Sequence, residues 1–389
     1  MKKKILFFTA GSVENIPPLR NIPPLFAEHG AKVIVIGYWK PGLRKIETLA
    51  HGAVILRVDL RARRIRFAAA RKILAVFELL WVGRRILRRM NPDVLVTCDV
   101  PAPILNVFAS KVPKKIALML EFHRSRRTLE RILIGASNWA LKYSDALIVP
   151  TLPRLALQFS VRPEFVRKPV FVIPNAPPAQ QHGRMPSTIN ASQAIRFLRG
   201  QPDGTIKIVY AGAIGTAHGV DILVRAVDAA SGPVSLLILG DKQSKFALEL
   251  SRVRASLKHS QRILWCDSVP YSELLAVLYC ADAGYATYLP ESLNDYFAAP
   301  GKLYEYLRAG LVVLTDERSC ARLALDAFDC GELFPFPASE AGVSAAIERA
   351  LSRAHALAKR KENAKRLFDM HFDLRQHVHH LVQYLDAPK

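Results

Sequence analysis

The chain has 389 residues, half of them hydrophobic, which exceeds one ordinary core and points to two globular domains of somewhat under roughly two hundred residues each. Its five cysteines (Cys98, Cys266, Cys280, Cys320 and Cys330) form no CxxC pair and are odd in number, which argues against a disulfide framework or a zinc site and fits a reducing cytoplasm. The net charge of +22 is uneven: residues 1–190 hold 32 Lys and Arg against 11 Asp and Glu, whereas the remainder is nearly balanced. A polycationic half attracts either nucleic acid or an anionic membrane, and composition alone does not choose between them.

The chain opens Met-Lys-Lys-Lys and enters an apolar run at 5–8 that meets Gly11-Ser12 with no small-residue cleavage site, so it reads as a first strand and not a signal peptide. Short apolar runs at 33–36, 54–58, 94–97, 116–120, 146–149 and 171–173 alternate with longer helical patterns, the signature of a parallel sheet covered on both faces. None approaches the roughly 20 apolar residues that cross a bilayer.

Residues 57–89 carry eleven basic residues, among them Arg57, Arg64, Arg71, Lys72, Arg84, Arg85 and Arg88, against Asp59 and Glu78. Phe67, Leu74, Phe77 and Trp81 interleave with them, the composition of a basic amphipathic helix lying in a headgroup layer. The alternative is a core helix with a solvated basic face. A second basic cluster, Arg124, Arg126, Arg127 and Arg131, follows His123 and suits an acceptor phosphate.

Residues 176–204 read as a linker, with Pro177, Pro178, Pro186 and Pro202 in a polar run. The alternation restarts at 206–210, 236–239, 263–266, 283–286 and 312–315, the strands of a second Rossmann-like domain, and a helical tail runs from about residue 343 to the end. The fold class is therefore α/β, with domains at 1–175 and 205–367.

Two motifs in the second domain carry chemistry. The glycine-rich turn 210–219 follows a strand and precedes a helical pattern, so its backbone N–H groups can approach a phosphate at a helix amino terminus. In the second, Asn294 leads into Ala299-Pro300-Gly301-Lys302, where Pro300 and Gly301 open a helix that puts Lys302 and Glu305 on one face. Lys302 would neutralise phosphate charge, and Glu305 would accept hydrogen bonds from ribose hydroxyls. The bland reading is a helix-start ion pair.

Together, 212–219 with Asp221, the strand ending in Gly240-Asp241, the 269–275 stretch and the 299–306 run resemble, in that order, the donor domain of retaining GT-B glycosyltransferases of family 4, especially bacterial surface-polysaccharide members. Gly11-Ser12 and the segments 120–123, 145–150 and 172–176 extend the likeness through the first half. The resemblance implies two facing Rossmann-like domains with parallel sheets, and a C-terminal crossover helix, about 368–389, packing back on the first. It assigns the donor to Gly11, Gly212, Ala213, Gly215, Asp241, Val269, Pro270, Asn294, Ala299, Pro300 and Gly301. Lys302 would contact the diphosphate, Glu305 the ribose, and His123 would stand near the transferred sugar.

The family's usual Arg and Lys in the first donor motif fall here on Ala213 and His218, and the position eight before Glu305 is Phe297, leaving Asn294, Asp295 and Glu291 as candidates for the donor sugar. Such relatives react by front-side displacement, which requires positioning and charge stabilisation but no enzymic nucleophile. The implied partners are a nucleotide-sugar, with UDP favoured, a lipid-linked saccharide acceptor and an anionic membrane at the inner face of the cell membrane. No metal, no other cofactor and no nucleic acid are expected. The competing readings are a catalytically inactive scaffold and a basic nucleic-acid-binding protein. An epimerase is disfavoured for want of acid-base side chains.

Overall fold

The computed structural model describes residues 3–125, 127–178, 186–243 and 245–387, with Arg63, Ala68, Ala69, Ala70, Lys72 and Lys245 described by backbone only. Arg126 and the Lys72 side chain, both expected at an acceptor surface, lie outside the described residues. The chain divides into two compact units, 1–175 with 374–389, and 176–373.

In the first unit the elements run β1 (Lys4–Thr9), α1 (Pro18–Glu28), β2 (Lys32–Tyr38), β3 (Ile46–Thr48), β4 (Val54–Val58), α2 (Ala68–Met90) and β5 (Val94–Cys98). They continue with β6 (Lys114–Leu118), α3 (Thr128–Ala140), β7 (Ala146–Val149), α4 (Leu152–Val161) and β8 (Val170–Val172). The sheet order is β3-β4-β2-β1-β5-β6-β7-β8, parallel except for the β3–β4 pair. Strands buried on both faces need apolar residues at every position. In β1, Ile5 and Phe7 pack with α1 residues such as Leu19 and Phe26, whereas Leu6 and Phe8 pack with Leu79 and Leu87 of α2.

The second unit comprises α5 (Ile189–Arg199), β9 (Ile206–Ala211), α6 (Val220–Ala229), β10 (Val234–Leu239), α7 (Lys245–Ala255), β11 (Ile263–Cys266) and α8 (Tyr271–Leu278). It continues with β12 (Ala283–Tyr285), α9 (Leu293–Tyr296), α10 (Gly301–Arg308), β13 (Val312–Asp316), α11 (Arg322–Ala327), β14 (Gly331–Phe334), α12 (Glu340–Ser352) and α13 (Leu357–His371). Its sheet, in the order β11-β10-β9-β12-β13-β14, is wholly parallel. The loops that follow β9, β10, β11, β12 and β13 therefore leave the same edge, where ligands bind in open α/β sheets.

Two boundaries differ from those expected. The linker reading fails at α5, which buries Ala191, Ala194 and Leu198 in the second unit's core. Its Thr188 caps the helix by accepting from Ala191 N at 3.3 Å, and Glu273 of α8 accepts from the hydroxyls of Ser187 at 2.6 Å and Thr188 at 2.7 Å. Prolines before the cap dominated the composition, while the helix itself lay in an unremarkable polar run. The crossover helix begins later than about 368: Phe368 is buried in the second unit on α13, and α14 (Leu374–Asp386) belongs to the first. Leu374, Val378, Leu381 and Leu385 of α14 make one apolar stripe in the core that α1 also covers.

Candidate functional site

In the second unit the glycine turn leaves β9 at Gly212, whose φ of +150° favours glycine and whose N–H bonds Leu239 O at 3.0 Å. The neighbouring exit, from β10, is equally tight: a Cβ on Gly240 would lie 2.5 Å from Gly212 O. Among the described residues the backbone N–H groups of Ala213 and Gly215 have no acceptor.

Lys302 enters the same turn. Its Nζ lies 3.5 Å from where a Gly212 Cβ would stand and donates to the Tyr210 hydroxyl at 3.0 Å. That hydroxyl in turn donates to the Ala213 carbonyl. The ammonium stands 4.3 Å from the Tyr210 ring centroid and 5.4 Å from that of Tyr288. No carboxylate among the described residues reaches ion-pair distance of it, and burial pushes its amine down to about 7. A cation taken from water without a counter-charge gains most from an incoming anion. His218, where a lysine was expected, adds no charge: burial and the Lys302 ammonium push its imidazole down to about 4.

Glu305 does not pair with Lys302, so the ion-pair reading fails. Its carboxylate accepts from the Tyr271 hydroxyl and lies 3.8 Å from Arg308 Nη1, and burial raises its pKa. Tyr271 follows Val269-Pro270 directly, so its hydroxyl ties that turn to Glu305. Pro270 is exposed and Val269 half-buried. Pro300 is the buried N-cap of α10, Gly301 its first residue, and Ala299 is half-buried beside them. Exposed Asp241 closes its own turn by accepting from Gln243 N at 2.8 Å. Asn294 is half-buried on α9, Asp295 accepts from Ser292 at 2.6 Å, and Glu291 accepts from the Thr216 hydroxyl.

In the first unit, Gly11 has its N–H on Thr9 Oγ1 at 3.0 Å, and its carbonyl accepts from Tyr38 N at 3.2 Å. His123, after β6, has a partner that the sequence did not reveal. Asp99 leaves β5 at φ +51°, accepts from Leu120 N at 2.8 Å and Glu121 N at 3.2 Å, and stands 4.0 Å from His123 Nε2. That nitrogen is buried without a hydrogen-bond partner. Burial and the Glu121 charge push the Asp99 carboxyl up to about 7, and burial lowers the His123 imidazole below its ordinary value. A residue in left-handed backbone holding a perturbed carboxyl beside an unsatisfied imidazole is the pattern of a functional site.

The basic stretch divides. Arg57 is buried, pairs with Glu14 and Glu47, and belongs to the core edge, not to a membrane face. Exposed Arg64, Arg71, Arg84, Arg85 and Arg88 make no ion pair among the described residues. Arg84 lies over Phe108 at 5.0 Å and Arg85 over Trp81 at 5.5 Å. While α2 buries Leu79 and Leu87, it exposes Leu74, Phe77 and Trp81 by 47%, 63% and 60%, an apolar stripe that a merely solvated basic face would lack. Arg124 is exposed, and Arg127 lies 3.7 Å from Glu130. Among the described residues no helix is long and apolar enough to cross a membrane.

Tyr210, Tyr271, Tyr288 and Asp99 were missed because their roles arise from side chains meeting across distant segments. Tyr210, opening the 210–219 turn, and Tyr271, inside the 269–275 stretch, carried a positional signal.

No protein-family model matches the sequence, and no curated protein is similar enough to be matched. Solved structures are similar over nearly the whole chain. A sucrose-phosphate synthase from Thermosynechococcus elongatus has a TM-score of 0.72 at 13% identity, covering 99% of each chain. HepE from Anabaena, in complex with UDP, has a TM-score of 0.71 at 14% identity, covering 99% of this chain and 100% of that one. WaaG, a glycosyltransferase involved in lipopolysaccharide biosynthesis, has a TM-score of 0.64 at 16% identity over 99% and 100%. At these identities the likeness establishes architecture, and the chain has the two-domain α/β fold of the GT-B glycosyltransferases.

Proposed function

We propose that this chain is a retaining glycosyltransferase that moves a sugar from a nucleoside diphosphate donor, UDP-linked by preference, onto a lipid-linked glycan at the inner face of the cell membrane. The observation that carries the reading is Lys302: an ammonium stripped of water, given no carboxylate, and aimed at a glycine turn with two unused N–H groups. A diphosphate supplies the charge that this arrangement lacks. The similar HepE has been solved with UDP and with UDP-glucose, which supports the class of donor.

In this reading Ala213, Gly215 and Lys302 hold the diphosphate and stabilise it as it leaves, with no metal. Glu305, held by Tyr271, takes the ribose hydroxyls, and Val269-Pro270 line the base. His123, oriented by Asp99, serves the transferred sugar and the acceptor hydroxyl. The leaving diphosphate accepts the acceptor's proton on the same face, so configuration is retained. The arginines and exposed rings of α2 hold the protein on anionic lipid, where a lipid-linked acceptor is found. Arg124 and Arg127 face the acceptor phosphate.

A thermal-shift screen against UDP, GDP, ADP, CMP and dTDP, repeated with Glu305→Ala and Lys302→Ala, tests the donor site. Stabilisation by one nucleoside diphosphate, lost in both variants, is expected. No shift with any nucleotide would move the reading to an inactive scaffold.

A further inference from the structure

Lys302 is bordered by two segments without regular strand structure: 287–292, which supplies the Tyr288 ring, and 293–300, which runs through α9 to the Pro300 cap. One side chain reaches both. Arg318, two residues beyond β13, has a side chain only 13% exposed. Its Nη2 donates to Tyr288 O at 2.8 Å and its Nη1 to Tyr296 O at 3.0 Å, while its Nε donates to Asp316 Oδ1 at 3.0 Å. Its guanidinium carbon lies 3.3 Å from the Phe336 ring centroid and 5.0 Å from that of Tyr296. Asp316, itself buried, also accepts from the Thr287 hydroxyl, so the carboxylate that aims the guanidinium is fixed from the same segment.

Asp316, Thr287 and the two carbonyls make this a three-way tie among the turn after β13, the segment after β12, and α9. The planar fork matters, because its donors diverge at fixed angles toward three acceptors while its faces lie against rings. A lysine reaches one acceptor at a time.

We propose that Arg318 is a positioning residue of the donor site: by holding the Tyr288 and Tyr296 carbonyls it sets the 287–300 segment against which Lys302 and the donor diphosphate are placed. The role rests on the donor reading given above, and Arg318 itself touches no substrate.

The test uses the full chain with Arg318→Ala and Arg318→Lys, read by hydrogen exchange, by the thermal midpoint and by UDP titration calorimetry. Faster amide exchange confined to 288–300 is expected in the unliganded Arg318→Ala protein. UDP affinity should fall roughly tenfold or more from misplaced donor contacts, with Arg318→Lys in between, and the Arg318→Ala midpoint should fall as well because the buried Asp316 loses its cation. Unchanged exchange in that segment overturns the proposal. A lowered midpoint with wild-type UDP affinity makes Arg318 a structural brace only and overturns it too. If the wild-type chain itself ignores UDP, the UDP-donor reading falls and this role with it; if it binds UDP and both variants match it, this role alone falls.

Discussion

The two units prepare different electrostatic environments. In the second, a cation is held among tyrosine rings with no carboxylate at ion-pair distance among the described residues; in the first, burial raises a carboxyl to about 7 beside an imidazole whose pKa burial lowers. The first arrangement suits a ligand that brings negative charge, and the second suits a hydroxyl, which can both donate and accept. The surfaces differ in the same sense. In the second unit Arg349, Arg353 and Arg360 pair with Glu332 at 3.1, 3.5 and 2.8 Å, so these three cations are engaged within its own fold. The arginines of α2 meet rings and solvent, so the charge surplus of the first half is available to something outside the chain.

The surface half of this contrast breaks most dramatically by charge reversal. Replacing Arg71, Arg84, Arg85 and Arg88 together by Glu removes at least about 4 kcal/mol at about 1 kcal/mol per lost cation, a roughly thousandfold or larger drop in partition onto anionic vesicles. Co-sedimentation measures it. Retention equal to wild type would return α2 to the status of a solvated helix, and preferential capture by duplex DNA would favour a nucleic-acid partner.

The division of labour between the sites sharpens next. His123→Ala and Asp99→Asn should each slow turnover of the nucleotide-sugar by about a hundredfold or more, the scale of a lost acid-base or orienting group. UDP affinity, measured by calorimetry, should stay near wild type in both. Weakened UDP binding would mean that the pair is not confined to acceptor chemistry.

Lys302→Met gives the smallest effect and the most diagnostic one. UDP affinity should drop about 10- to 100-fold, the size of a charge-assisted hydrogen bond. Binding by wild type should weaken as pH rises above about 7, where the free enzyme's amine loses its proton. The same groups give opposite stability slopes in the unliganded protein. Asp99 is raised from 3.8 to about 7, so the folded state holds the extra proton and stability falls between those values. Lys302 is lowered from 10.5 to about 7, so the unfolded state holds it and stability rises from about 7 toward 10.5. The difference in thermal midpoint between Asp99→Asn and wild type should grow from about pH 4 to 7, and that between Lys302→Met and wild type should change in the opposite sense from about pH 7 to 10.5. Parallel curves for both variants would contradict the assignment.

What could be read from the chain follows from how local each signal is. Doubly buried strands such as β1, β5 and β10 appear as unbroken apolar runs, and the strand–glycine–helix exits at Gly212 and Gly240 appear as spacing. The edge strand β3 hides because it is three residues long with an alternating, half-exposed face, and β14 hides because Glu332 interrupts its apolar run while facing the buried Arg360. Lys302 and Glu305 were legible from helical spacing, but their separation into two environments was not, since it depends on Tyr210 and Tyr271 arriving from 92 and 34 residues away. Arg57 was misread for the same reason: a basic residue in a basic run gives no sign that Glu14 and Glu47 enclose it.

The missing side chain at residue 240 restricts how this protein can diversify. With the Gly212 carbonyl 2.5 Å from any Cβ there, every other amino acid forces the glycine turn after β9 outward, so substitutions are blocked at the point where two strands leave the sheet. Residues 241–243, immediately beyond it, are exposed, and among them Asp241 alone ties the turn with its side chain, by accepting from Gln243 N. A lineage or a directed-evolution experiment that reshapes this edge of the sheet therefore has an anchored glycine turn and a more tolerant rim, and substitutions should accumulate in the rim while position 240 stays fixed.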